Sequence, residues 1–258
     1  MLDLSIVIPT VNRADSLKAC LAAVRESTGQ NYEVIVVDGA SSDGTAGILA
    51  EARGELGEHL CVITEQCREG FVRAANKGFR AARGRYVTWL NDDARPLPGS
   101  LDRAVECVGG TSDRVGLAAM FHSTPVSGNV AVAVSHRGRT YHVLHVRGTL
   151  YANFGVGSRE LFERLGYFDE RYFLNAADPD FSLKVWDAGF SVAPAFGALI
   201  DHDEIADHRR KVDVNCGATD NAKLFAKWEL PDRHPRQVFD ARDPCTLRGL
   251  RTHFRRAV

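Results

Sequence analysis

The chain has 258 residues, of which 45% are hydrophobic and 25% charged, and its formal net charge is −1. A chain of this length and composition can fold around a hydrophobic core without disulfides or structural metals. A net charge so close to zero excludes a broadly basic surface, so we expect no nucleic-acid partner.

Three further features of the sequence bear on the cellular location of the protein. Its N-terminus has no basic segment followed by an apolar one, and no apolar run approaches the roughly 20 residues of a membrane-spanning helix. The six cysteines form no C-x-x-C pair and no zinc-type spacing with histidine. We therefore expect a cytoplasmic protein with reduced thiols and no signal peptide.

The first half of the chain alternates between strand patterns and helix patterns. Short β-branched apolar runs end at proline, glycine or aspartate, and the segments between them repeat apolar residues at helical spacing. The predicted strands cover residues 4–8, 32–37, 60–64 and 85–90, and the predicted helices cover residues 17–24, 45–53 and 71–82. This alternation predicts an α/β fold with a mostly parallel, doubly wound sheet.

The second half has a mixed pattern. Short strand-like runs are joined by glycine, serine and proline turns, and helical segments interrupt them. The predicted strands cover residues 115–121, 130–134, 140–146, 150–154, 190–193 and 198–201, and the predicted helices cover residues 101–108, 158–165 and 178–188. We expect this half to extend the same domain with a mixed sheet.

Polar clusters follow three of the predicted parallel strands, where each strand ends. Residues 9–13 follow the first strand, residues 38–43 the second and residues 91–93 the fourth. Because ligands of open α/β sheets bind at the carboxyl ends of the strands, we expect one polar cleft at this edge. Aspartate, asparagine, serine and glycine are also good turn and cap residues, so any single cluster could be structural.

The residue types in these clusters limit the kinds of ligand that the cleft could bind. No G-x-G-x-x-G motif follows the first strand, and no phosphate-binding G-x-x-x-x-G-K-[ST] loop occurs. Asp92 and Asp93 are adjacent carboxylates at a strand end. Such a pair suits Mg²⁺ or Mn²⁺, which prefer oxygen ligands and share their coordination shell with phosphates.

Four segments of the first half carry the motifs SIVIPTVNR, EVIVVDGASSDGT, GFVRAANKG and GRYVTWLNDD, at residues 5–13, 33–45, 70–78 and 84–93. In order and spacing they resemble the successive motifs of family 2 glycosyltransferases, which have the GT-A fold. Two later motifs, GYFDERYFL at 166–174 and DPDFSLK at 178–184, resemble the acceptor-side motif of that family, especially in its rhamnosyltransferase-like members. The resemblance covers roughly residues 4–202.

The resemblance also implies how the chain is divided. A GT-A domain would cover residues 1–205, with a nucleotide-sugar half over 1–93 and an acceptor half over 94–205. Residues 206–258 would form a C-terminal extension, which we expect to be helical.

The end of this extension is basic and carries Leu247, Leu250 and Phe254 at helical spacing. A basic amphipathic helix can make a peripheral contact with an anionic membrane. The same pattern fits a homodimer contact, or a helix that packs on the core with a solvated basic face.

The resemblance assigns a nucleotide-sugar site to the strand ends and to the helix that starts near residue 71. Asp38 would accept a hydrogen bond from the base edge, and Asp92 would lie at the ribose or phosphate. Arg73 and Asn76 would face the nucleotide from the helix. The full set of implied nucleotide-sugar-binding residues is Pro9, Thr10, Asn12, Arg13, Asp38, Ser41, Asp43, Gly70, Arg73, Asn76, Asn91 and Asp92.

The Asn91-Asp92-Asp93 turn is a DXD-like motif, and the resemblance assigns a divalent metal, Mn²⁺ or Mg²⁺, to Asp93. The family motif is often acidic at its first position, where this chain has Asn91, whose amide oxygen can ligate without bringing a charge. His202 is a second candidate ligand because imidazole suits Mn²⁺-type ions. A single histidine at a strand end can equally be structural.

Asp178 is the residue to which the resemblance assigns the general base. The family usually has a Glu-Asp pair before a helix on the acceptor side, and this chain has Ala177 and Asp178. Asp178 followed by Pro179 also fits the start of a helix, with the aspartate as N-cap. A base and a cap are therefore alternatives, and one residue could be both.

These assignments imply an inverting, metal-dependent glycosyltransferase that moves a hexosyl or deoxyhexosyl group from a UDP, dTDP or GDP sugar to an acceptor hydroxyl. The acceptor could be a glycan, a lipid-linked molecule or a small molecule. Two alternatives stay open. Asn91 and Ala177 motivate a non-catalytic nucleotide-sugar-binding protein. A sugar nucleotidyltransferase has a related fold, although the first strand lacks the glycine- and arginine-rich loop of that class.

Overall fold

The computed structural model describes residues 2–110, 114–124, 129–202 and 208–229, with only the backbone described for residues 208–215. Its strands in chain order are β1 Leu4–Thr10, β2 Tyr32–Asp38, β3 Leu60–Thr64, β4 Tyr86–Trp89, β5 Ala94–Pro96, β6 Val115–His122, β7 Val130–His136, β8 Arg139–Val146, β9 Thr149–Tyr151, β10 Gly155–Ser158 and β11 Ser191–His202. Its helices are α1 Ala14–Ser27, α2 Thr45–Leu56, α3 Phe71–Ala81, α4 Ser100–Gly109, α5 Arg159–Leu165, α6 Ala177–Asp187 and α7 His208–Lys227.

The described strands form one sheet in the order β3-β2-β1-β4-β10-β6-β11-β5. The first four strands are parallel, so their carboxyl ends meet at one edge. β10 runs antiparallel to both β4 and β6 and joins the two halves. β11 runs parallel to β6, and β7, β8 and β9 form an antiparallel extension that starts from β6. The parallel first half and the mixed second half match the sequence prediction.

The core lies on both faces of this sheet because successive strand residues point to opposite faces. In β1, Leu4, Ile6 and Ile8 pack with α1, α2 and α4 on one face. Val7 packs on the opposite face, with α3, α5 and α6. Trp89 and Trp186 are both buried in that second cluster, as their apolar surroundings in the sequence predict.

Several predicted elements differ from the structure. The two strands predicted at 190–193 and 198–201 are one strand, β11, whose register shifts between Pro194 and Leu199. The strand predicted at 150–154 ends at Tyr151, and residues 155–157, for which no element was predicted, form the strand β10 together with Ser158. β10 was missed because its four residues are two glycines, a valine and a serine, which carry no strand periodicity.

The last described helix, α7, packs against the loop before α6. Leu224 is buried in the core, and Phe225 and Trp228 pack against it. The predicted amphipathic segment at 247–254 lies outside the described residues, and the domain boundary near residue 205 stays a prediction. Among the helices that the structure describes, none has the length and apolar character to cross a membrane.

Candidate active site

A cavity of about 300 Å³ opens at the carboxyl ends of the parallel strands. The β1–α1 turn, the residues after β2, β3 and β4, the start of α3, the loop before α6 and the end of β11 all contribute to it. The lining residues are Pro9, Thr10, Val11, Arg13, Gly39, Glu65, Arg68, Gly70, Phe71, Ala74, Trp89, Asn91, Asp92, Asp93, Asn153, Leu174, Asn175, Asp178 and His202. The cleft predicted from three strand ends is therefore present as one cavity.

Arg13 binds both carboxylates of the turn after β4. Its Nη1 lies 3.1 Å from Asp92 Oδ1 and 2.6 Å from Asp93 Oδ2, and all three side chains are buried. Thr10 Oγ1 donates a hydrogen bond to Asp92 Oδ2 at 2.9 Å. Two negative charges next to each other are thus held by one guanidinium and one hydroxyl, in positions set by the end of β1 and the start of α1.

His202 meets the same turn from the end of β11. Its Nε2 lies 3.0 Å from Asp93 Oδ1 and 3.2 Å from Asn91 Nδ2, and its Nδ1 lies 2.5 Å from Thr124 Oγ1. Burial opposes ionisation of Asp93, but the His202 hydrogen bond and the nearby charges of His202 and Arg13 outweigh it and hold the pKa of this carboxyl well below its usual range.

The pair formed by Asp93 and His202 fits a divalent metal of the Mn²⁺ type in its donor chemistry. It offers a carboxylate oxygen and an imidazole nitrogen, both on the cavity wall and 3.0 Å apart. No group of three His, Cys, Asp or Glu side chains in the described part of the chain could hold an ion by itself. A metal here would therefore share its shell with a ligand such as a diphosphate.

Asp178 lines the cavity from the first turn of α6. It is partly exposed, and desolvation raises the pKa of its carboxyl from 3.8 to about 7. Its backbone carbonyl accepts a hydrogen bond from Ser182 Oγ, whose oxygen in turn accepts one from the backbone N–H of Ala152. These contacts fix the first turn of α6 against the strand β9.

The structure corrects the expectation that Asp178 caps α6. The N-cap position is Ala176, which has a left-handed backbone (φ 68°), and no side-chain cap hydrogen bond is made there. Asp178 therefore lies two positions after the N-cap, and it lines the cavity. Ala177 is buried in the core and does not line the cavity.

Six residues of the predicted nucleotide site do not line the cavity, and four of them, Asn12, Asp38, Ser41 and Asp43, lie at or just after the ends of β1 and β2. Their side chains bind backbone N–H groups of the segments after these two strands instead. Ser41 Oγ accepts a hydrogen bond from the Asn12 N–H, and Asp38 Oδ1 accepts one from the Ser41 N–H. Asp43 accepts hydrogen bonds from the backbone N–H groups of Ala14 and Thr45, at the starts of α1 and α2. This network holds the β1 and β2 ends together around Gly39, which does reach the cavity.

The prediction that Arg73 and Asn76 face the nucleotide is not supported by their contacts. Asn76 is fully buried, and its amide bonds both the N–H and the C=O of Phe168 in the acceptor half. Arg73 points to Glu170 on the surface at 3.9 Å. The sequence shows only that these two residues are polar and lie on a helix. It does not show whether such a residue contacts a ligand or another part of the protein.

Glu65, Arg68, Asn153 and Asn175 line the cavity but were not predicted. Glu65 follows β3 directly, so the strand-end rule would have found it. Its buried carboxylate binds Lys77 Nζ at 2.7 Å and accepts from the Glu69 N–H. Asn153 and Asn175 lie in loops of the second half, whose position depends on long-range packing.

The sheet has the strand order of a GT-A fold, and an acidic turn bound by an arginine follows its central strand β4. The S. aureus TarS fragment 1–349 in complex with UDP-GlcNAc matches the structure with a TM-score of 0.69 over 99% of this chain and 72% of that one, at 17% identity. Mannosyltransferase PcManGT from Pyrobaculum calidifontis, in complex with GDP-Man and Mn²⁺, matches with a TM-score of 0.66 over 100% of this chain and 76% of that one, at 19% identity. These similarities show the fold alone, and they confirm the GT-A prediction.

The sequence comparison then identifies the family. The pattern of glycosyl transferase family 2 matches residues 5–148, which is more than half of the chain, so the chain belongs to glycosyl transferase family 2. Glycosyltransferase AglE of Haloferax volcanii is 27% identical over 212 residues, which cover 79% of this chain and 66% of that protein. Two further curated relatives are matched over only 35% and 34% of their own length.

Proposed function

We propose that the protein is an inverting glycosyltransferase that moves a sugar from a nucleotide-diphosphate sugar to an acceptor hydroxyl, with Asp178 as general base. The observation that carries this proposal is that Asp178 opens into the same cavity as the Asn91-Asp92-Asp93 turn, with its pKa raised to about 7. A carboxylate with a pKa near the working pH can take a proton during the reaction and release it afterwards.

The reaction is a single displacement. The acceptor oxygen forms a bond to the anomeric carbon as the bond from that carbon to the diphosphate breaks, and Asp178 takes the acceptor proton. Attack from the side opposite to the leaving group inverts the configuration. The placement of Asp178 in α6 and of Asp92 and Asp93 after β4, on different walls of the cavity, supports this arrangement.

Asp93 and His202 are the residues that would hold a divalent metal, and Arg13 lies beside them. A metal bound there would neutralise negative charge on the departing diphosphate. Mn²⁺ accompanies GDP-Man in the PcManGT structure, which supports the same choice here. Asn91 contributes an amide close to His202 and no negative charge, so Asp93 is the main anionic ligand in this proposal.

The donor half is proposed to take a UDP, dTDP or GDP sugar, and the acceptor to be a glycan, a lipid-linked molecule or a small molecule. The TarS structure with UDP-GlcNAc and the PcManGT structure with GDP-Man support a nucleotide-sugar donor. The rhamnosyltransferase-like resemblance and a hexosyl or deoxyhexosyl substrate stay predictions, as do the cytoplasmic location and a membrane or homodimer contact through the extension.

A thermal-shift panel of UDP, GDP, dTDP and CDP sugars, each with and without Mn²⁺, tests the donor proposal. A ligand at about 100 times its dissociation constant adds about 2.7 kcal/mol of stability. For a chain of this size that raises Tm by roughly 5 °C or more. The absence of a shift with every donor would contradict the nucleotide-sugar site.

Product analysis with the donor that binds separates the proposal from its alternatives. Donor binding without transfer to any glycan, lipid-linked or small acceptor would favour a non-catalytic binding protein. Release of pyrophosphate from a nucleoside triphosphate and a sugar phosphate would favour a nucleotidyltransferase.

A further inference from the structure

One carboxylate of α7 binds three successive backbone N–H groups of the loop before α6. The N–H groups of Phe173, Leu174 and Asn175 all donate to Asp220 Oδ2, at 3.0, 3.0 and 3.1 Å. Asp220 is only 1% exposed, and its second oxygen lies 3.2 Å from Lys223 Nζ. Hydrogen bonds from several N–H groups to a buried anion are among the stronger ones in proteins, and they fix the backbone conformation of the loop.

This loop forms part of the cavity wall. Leu174 and Asn175 line the cavity, and the chain then passes through the left-handed Ala176 into the first turn of α6, where Asp178 lies. On its other side the loop meets the start of α3: the Val72 N–H donates to the Phe173 carbonyl. The segment that leads to Asp178 is thus held between the donor half and α7.

A second contact of α7 with the loop lies one turn before Asp220. A Cβ atom at Gly217 would stand 2.3 Å from Asn175 Nδ2, so a larger residue at this position would require the Asn175 side chain to shift. Gly217 and Asp220 are three residues apart and therefore lie on one face of α7. That face is held in place further along the helix, where Lys227 Nζ binds Asp169 and Asp180 at 2.8 and 2.7 Å.

From these contacts we infer that Asp220 is a positioning residue for the acceptor side of the cavity, and that α7 belongs to the catalytic unit. Asp220 orders residues 173–175, and this order places Asn175 and the first turn of α6 in the geometry that the reaction needs. The consequence for turnover rests on the glycosyltransferase function proposed above, whereas the ordering of the loop does not.

The test uses the full chain with Asp220→Asn, which keeps the size of the side chain and removes its charge. Asp102→Asn is a matched control, because Asp102 also holds a loop from a helix, by accepting hydrogen bonds from Thr28 Oγ1 and the Gly29 N–H. Gly217→Ala places a methyl group against the Asn175 side chain and leaves the hydrogen bonds of Asp220 in place. Hydrogen exchange of residues 173–175 is measured by mass spectrometry, together with the affinity for UDP and GDP by calorimetry.

We expect Asp220→Asn to raise the exchange rate of the 173–175 amides by about tenfold or more, while β1 and β2 keep their protection. Asp102→Asn should leave these amides unchanged. Nucleotide affinity should stay within about twofold in all three variants, because no residue of α7 whose side chain the structure describes lines the cavity. With the donor that the panel selects, turnover should fall by about tenfold or more in Asp220→Asn, by less in Gly217→Ala, and not in Asp102→Asn.

Unchanged protection of residues 173–175 in Asp220→Asn would overturn the inference, and so would full turnover in a variant whose loop exchanges rapidly. A parallel loss of nucleotide affinity and of protection in β1 would indicate general unfolding and would equally contradict a positioning role. If the unmodified protein transfers no sugar at all, the function proposal fails, and the exchange measurement still decides whether Asp220 orders the loop.

Discussion

Asp178→Asn is expected to stabilise the protein at neutral pH while it abolishes sugar transfer. The carboxyl of Asp178 is desolvated in the cavity, which raises its pKa from 3.8 to about 7. An asparagine has nearly the same shape and no charge to desolvate. The substitution should therefore remove both the burial cost and the group that takes the acceptor proton.

The size of the expected stabilisation follows from the rise in the pKa of Asp178. A rise from 3.8 to about 7 is about three units, and at about 1.36 kcal/mol per unit it corresponds to an upper bound of about 4 kcal/mol. Asp178 is partly exposed, so solvent screening reduces this figure, and we expect about 1–2 kcal/mol. Between pH 4 and 7 the folded state holds a proton that the unfolded state has released, so the contribution of Asp178 to stability falls as the pH rises through this window.

The assay is urea unfolding of the parent protein and of Asp178→Asn at pH 5 and pH 8. The variant should gain stability relative to the parent mainly at pH 8. Asp169→Asn is a matched control of opposite sign, because hydrogen bonds from Arg171 and Lys227 hold the pKa of Asp169 well below its usual range, and removing this charge should destabilise the protein. A less stable Asp178→Asn at pH 8 would refute the burial argument, and full transfer activity in this variant would refute the assignment of the base.

Two more substitutions test the site. Asp93→Ala removes the carboxylate of the Asp93–His202 pair. Nucleotide affinity in the presence of Mn²⁺, measured by calorimetry, should therefore fall by at least about tenfold, which is about 1.4 kcal/mol. An equal loss with and without Mn²⁺ would contradict the metal role. Asn76→Ala leaves the N–H and C=O of Phe168 without their partner, which should cost about 2–4 kcal/mol in urea unfolding without changing nucleotide affinity. A folded Asn76→Ala protein that no longer binds nucleotide would restore Asn76 to the nucleotide site.

The strand ends of the first half could be predicted because two local signals coincide there. Buried parallel strands give continuous apolar runs, and polar residues follow where each run stops. This was enough to place Thr10 and Asp92 in one cavity, although they are 82 residues apart, whereas His202 was a candidate only through the family resemblance. The same rule applied to β3 would have added Glu65.

The contacts that the sequence did not reveal depend on packing between distant elements. Asn76 has the same amide whether it meets a nucleotide or the backbone of Phe168, and only the approach of the acceptor half decides between them. Asp178 next to Pro179 fits a helix start, and the actual N-cap two residues earlier rests on a left-handed alanine that has no sequence signature. Asp220 lies 45–47 residues from the N–H groups that it binds.

Because Val156 in β10 comes 68 residues after its partner Thr88 in β4, β4 lacks this partner strand for part of the synthesis of the chain. β4 needs β10 to cover its backbone edge, since Thr88 pairs with Val156, and β10 in turn pairs with β6 through Ala118. At about 5–20 residues per second, Val156 leaves the ribosome roughly 3–14 s after Thr88. During this interval the nascent first half of the chain exposes an open strand edge, which is a template for pairing with another chain. Expression of residues 1–93 alone would make this exposure permanent, so we expect that fragment to aggregate where the whole chain does not.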